Sequence, residues 1–132
     1  MLETKEILGF AIERASAINT YRNIFIAVAT AVVGVMASGK AFTNNRALKI
    51  FLTSAFVVFA YSNLEAIIRL GELREALLAM LSTDLPDREA LVKSLSPAKW
   101  WQYAGFHIFL DAVVLAAIWR VPWPSSDEKN QS

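Results

Sequence analysis

Basic residues vanish from the chain three times, each time for the length of a membrane crossing. NIFIAVATAVVGVMASG (23–39) lies between Arg22 and Lys40, and IFLTSAFVVFAYSNLEAII (50–68) between Lys49 and Arg69. WWQYAGFHIFLDAVVLAAIW (100–119) lies between Lys99 and Arg120. A spanning helix needs about 20 mainly apolar residues, with about 17 as the lower limit. The third stretch is framed by Trp100 and Trp101 at one end and by Trp119 and Trp123 at the other. Indole rings settle at headgroup level, where the ring is apolar and the N–H finds a wet partner. The expected fold is therefore an all-α integral membrane protein with three transmembrane helices.

The pattern continues past the crossings. Leu2, Ile7, Phe10, Ala11, Ile12 and Ile18 recur among charges in the first 22 residues, as an amphipathic helix leading into the first span. This segment, with Glu3, Glu6 and Glu13, is too long and too acidic for a signal-peptide start, so the first span reads as retained. Leu70, Leu73, Leu77, Leu78 and Leu81 extend the second helix to about Ser82, and Thr83-Asp84-Leu85-Pro86 breaks it. Residues 87–95 suit a short surface helix, and Ser96-Pro97 reads as a cap and first turn for the third span. One membrane domain over 1–121 and a flexible polar tail over 122–132 complete the expectation, with a helical extension and surface helix over 70–96.

Composition agrees. The 132 residues are 55% hydrophobic and only 19% charged, against about a quarter charged in soluble domains. A net charge of +1 gives no electrostatic case for nucleic acid. The absence of cysteine excludes disulfides, thiolate catalysis and cysteine-ligated metal. The side holding the N-terminus and residues 69–99 carries eight basic residues against five on the other, placing the N-terminus in the cytoplasm.

Chemistry would have to reside in the polar groups inside the spans: Asn63, Glu65, Tyr103, His107 and Asp111. At a rise of about 1.5 Å per residue, Asp111 falls about 2 Å past the midpoint of its span and His107 about 4 Å before it. Asn63 and Glu65 fall about 6 and 9 Å from the midpoint of theirs, so Asn63 can sit level with His107. Tyr103, His107 and Asp111, four residues apart, form one stripe in which imidazole and carboxylate can pair. Glu65 and Arg69 have the favourable order for an i,i+4 ion pair. Gly34 and Ser38 form a small-xxx-small pair suited to close helix packing.

The commonest role for such polar groups is as glue between helices; a proton or ion path comes second. One histidine makes no metal or haem site without other subunits, so no cofactor is expected. GxSxG, HExxH and glycine-rich phosphate loops are all missing, and an enzyme is not expected. Two roles remain. The first is a small homo-oligomer with an ion or proton path along the stripe. The second is an accessory or assembly subunit docked to another membrane protein. Both make the lipid bilayer, and either the chain itself or another membrane protein, its partners. An enzyme reporter active only in the cytoplasm, fused at the C-terminus, should stay silent; strong activity would overturn the orientation or the count of three.

Overall fold

The computed structural model describes residues 2–38 and 45–120, the side chain of Arg120 excepted. The expected tail, 122–132, Trp123 and the end of the first apolar stretch at Gly39 lie outside these residues. Four helices follow in order: α1 Thr4–Ala37, α2 Arg46–Ala79, α3 Arg88–Leu95 and α4 Trp100–Arg120. Three apolar segments are long enough to cross a membrane, within α1, within α2 and ending in α4. The protein is all-helical among the described residues and multi-pass by length and composition.

Length separates these helices. With 34 residues each, α1 and α2 measure about 51 Å, against a hydrocarbon core of about 30 Å. With 21 residues, α4 measures about 31 Å and spans the membrane alone. About 20 Å of α1 and α2 therefore continue past the bilayer as a two-helix stalk.

Local chemistry marks the ends. At the start of α1 the Glu3 N–H donates to the Glu6 carboxylate at 2.9 Å, and Asn45 opens α2 by accepting from the Ala47 N–H at 2.9 Å. The second helix ends at Ala79, three residues before the expected Ser82, because the chain turns at Met80. Leu81 is still buried, so the leucine periodicity outlasts the helix that it implied. Ser96 caps the end of α3 and does not begin α4: its backbone N–H and its hydroxyl both donate to the Val92 carbonyl. The α4 start falls at Trp100, where the Lys99 N–H donates to the Gln102 side chain at 3.1 Å.

Two cores lie along the α1–α2 seam. Within the membrane, Phe25, Ala29 and Met36 pack against Phe56, Ala60, Val114 and Ile118. In the stalk, Ile7 and Ala11 pack against Leu78 and Leu81, with Val92 and Leu95 of α3 laid over them. At the stalk end of α4, Gly71 faces Pro97: a Cβ built there would sit 3.8 Å from the proline Cβ. At the opposite end the Trp119 indole donates to the Thr53 hydroxyl at 3.0 Å, with the Lys49 ammonium 5.9 Å from the same ring.

The stalk core is a water-side core, so cavity energetics of soluble proteins apply to it. Leu78→Ala should destabilise the stalk by roughly 2–4 kcal/mol. Hydrogen exchange of α1 residues 4–12 should rise accordingly, and an unchanged exchange rate would show that the two helices do not pack there.

Candidate functional site

Where the membrane core meets the stalk core, the apolar seam is interrupted by a polar layer. Asn63 on α2 is 4% exposed and donates its side-chain N–H to the Tyr21 carbonyl of α1 at 3.0 Å. His107 on α4 is 1% exposed, with its ring centroid 4.0 Å from that of Phe25. Phe25 is the hub: it stacks on Phe56 and Phe59 at 6.1 and 6.3 Å. One residue after Tyr21, the Arg22 guanidinium lies 5.7 Å from the Phe106 ring centroid. The α2–α4 contacts at Gly71–Pro97 and Thr53–Trp119 bracket the level of Asn63 and His107, as the antiparallel spans imply.

The expected pairing of His107 with Asp111 does not form. Neither imidazole nitrogen has a hydrogen-bond partner, and one buried Asp111 carboxylate oxygen lacks one as well. Spacing by four puts both residues on one face of α4, but the ring swings toward α1 and stacks on Phe25. Packing on Phe25 buries imidazole surface, and it takes the place of the pairing with the carboxylate. Tyr103, the third member of the stripe, is occupied elsewhere: its hydroxyl accepts from the Ala98 N–H at 3.2 Å, tying α4 to its own lead-in.

Other candidates divide. Glu65 and Arg69 do form their i,i+4 ion pair, at 2.5 Å, among the described residues the one salt bridge. It is exposed, which limits its contribution to a few tenths of a kcal/mol. Gly34 and Ser38 take no part in the packing of this chain's own helices. A Cβ at Gly34 meets nothing within 4 Å, and Ser38 donates to its own helix at the Val35 carbonyl. In the membrane core the small residues at the helix contacts are Ala29 and Ala60. Gly34 instead lines a membrane-facing cleft between α1 and α4 with Thr30, Leu110 and Val113.

Three members of the layer were not evident from sequence: the Tyr21 carbonyl, Phe25 and Arg22. Arg22 could have been found. The first apolar stretch is 17 residues long against 19 and 20 for the others, so one of its borders, Arg22 or Lys40, lies deeper than theirs once the helices are aligned. No group of three His, Asp or Glu side chains within metal-binding reach occurs among the described residues.

No protein-family model matches the chain, and no curated protein or solved structure is significantly similar to it.

The unpartnered imidazole makes a sharp expectation. Replacing a polar group that has no partner by an apolar one of similar shape is neutral or stabilising. His107→Phe should therefore leave thermal unfolding in mild detergent unchanged or raised. Asn63→Leu should destabilise by about 0.6–2 kcal/mol, since it removes a real interhelical bond. A His107→Phe variant less stable than Asn63→Leu would mean that the imidazole has a partner.

Proposed function

We propose that this chain is a non-catalytic accessory or assembly subunit, anchored by three membrane helices and presenting its two-helix stalk to a larger membrane protein complex. One observation carries this reading above all: the intramembrane polar residues are turned into the chain's own helix packing. Asn63 reaches α1, His107 stacks on α1, and Tyr103 ties down the start of α4. The Asn63 bond joins two helices, which is the usual work of polar groups in membranes, and His107 is buried beside it. A pore-lining stripe would face away from the bundle, toward other copies.

The stalk supplies the docking surface. Phe10 and Ile12 on α1, Leu73 on α2 and Met80 just past its end are 41–56% exposed on a segment that extends beyond the bilayer. Large apolar side chains held in water mark surfaces that partners cover, although single ones are common on any protein. The charge bias favours a cytoplasmic stalk.

The second reading is a homo-oligomer with a proton path. It is favoured by the interior polar atoms without partners: both His107 nitrogens, one Asp111 oxygen and the Asn63 side-chain carbonyl. Bound water joining them would make a relay of the kind used in membrane proton paths.

Liposome flux separates the two. The docking reading expects proton leak no greater than that of empty liposomes, for the wild-type protein and for Asp111→Asn alike. Flux that Asp111→Asn abolishes while the fold is kept would establish the path. For docking itself, the tagged chain should migrate in native membranes within a complex heavier than its own oligomers, and Phe10→Glu/Leu73→Glu should release it. Migration as the free chain in both forms would sink the docking reading.

A further inference from the structure

A cleft of about 500 Å³ opens between α2 and the start of α4, at the level where the stalk leaves the membrane. Its volume falls in the range of small-ligand sites, about 300–1,000 Å³. Gly71 of α2 and Pro97, from the non-helical link of residues 96–99 between α3 and α4, meet in its lining, where an added Cβ at Gly71 would come within 3.8 Å of the proline Cβ.

Its lining is chemically uneven. Glu72 and Glu75, one helical turn apart, supply two carboxylates from α2, and neither has an ion-pair partner among the described residues. Trp100, Trp101 and Tyr103 supply aromatic surface from α4, and Lys99 adds one positive charge at the rim. The Tyr103 ring is held in place by the bond from the Ala98 N–H to its hydroxyl. Carboxylates beside aromatic rings suit an ammonium group, attracted to the charges and to the ring faces together. A lysine next to the first turn of a 21-residue helix suits a phosphate, since first-turn amides have no intrahelical acceptor.

Depth settles the source of such a ligand. Trp100 and Trp101 are 67% and 55% exposed at the end of a spanning helix, the position of an aromatic belt. The cleft therefore opens onto the headgroup layer, where ammonium and phosphate are present in one molecule. We infer that the cleft between α2 and the start of α4 binds the headgroup of a zwitterionic phospholipid, with Glu72 and Glu75 on its ammonium group and Lys99 on its phosphate. The seated lipid wedges the junction between membrane bundle and stalk.

The test uses the full chain in mild detergent, given equal amounts of phosphatidylethanolamine and phosphatidylglycerol with identical acyl chains. Native mass spectrometry should find phosphatidylethanolamine retained preferentially, one per chain. Glu72→Gln/Glu75→Gln, with unchanged helix content by circular dichroism, should lower that retention about tenfold, the loss expected for two charge-assisted contacts. Trp101→Leu should weaken it independently, and Glu89→Gln, on α3, should leave it as it was. Equal retention of the two lipids, preference for phosphatidylglycerol, or full retention by the double glutamine variant would overturn the site. Displacement of the lipid by soluble glycerophosphoethanolamine at equal concentration would overturn the assignment to a membrane lipid.

Discussion

A single side-chain hydrogen bond fixes the relation between the two long helices. Asn63 donates to the Tyr21 carbonyl from a position almost closed to solvent, and an unpaired amide there would carry its full desolvation cost. Apolar side chains along the membrane part of the seam can slide by a turn and still pack, because lipid is as apolar as leucine and does not drive the helices together. A hydrogen bond cannot slide without being lost. With Asn63 opposite Tyr21, Phe25 falls among Phe56, Phe59 and His107, and Ile7 falls against Leu78 and Leu81. Both cores depend on that one register.

The two cores are held by different physics. In the membrane, contact between Phe25, Ala29, Ala60 and Val114 is stabilised by dispersion and close packing, and the two alanines let the backbones approach. In the stalk, Ile7, Ala11, Leu78 and Leu81 are removed from water, so the hydrophobic effect operates there at full strength. The helix α3 contributes only partly buried side chains to that core, and its role is to cover it. The polar layer lies between the two cores but still inside the membrane, and Arg22 belongs to it because its guanidinium rests on Phe106.

The spans were plain in the sequence because a bilayer imposes length and polarity on every residue of a crossing segment. The helical extensions were plain because leucine recurs at 3.6-residue spacing. What lay beyond reach was the partner of each polar group. Spacing places His107 and Asp111 on one face of α4 but does not say that a phenyl ring from α1 will take the imidazole. In the same way Ser96-Pro97 has the chemistry of a helix start, yet the Val92 carbonyl captured the serine first. Gly34 and Ser38 have the spacing of a packing motif on a face that this chain leaves uncovered. Each of these outcomes is decided between helices, and a single helix pattern carries no information about its neighbour.

The central claim is that α1 and α2 run unbroken from membrane into stalk in one fixed register, and distances between paired spin labels test it most directly. Glu13, eight residues before Tyr21, is held as one site while the second moves along exposed α2 positions Arg69, Glu72, Glu75, Ala76 and Ala79. Glu72, nine residues after Asn63, should lie at the distance minimum, with Ala79 farther because it sits about 10 Å further along the axis, and each distribution should be narrow. A minimum displaced to Ala79, or broad distributions at all five positions, would contradict a continuous, register-locked pair.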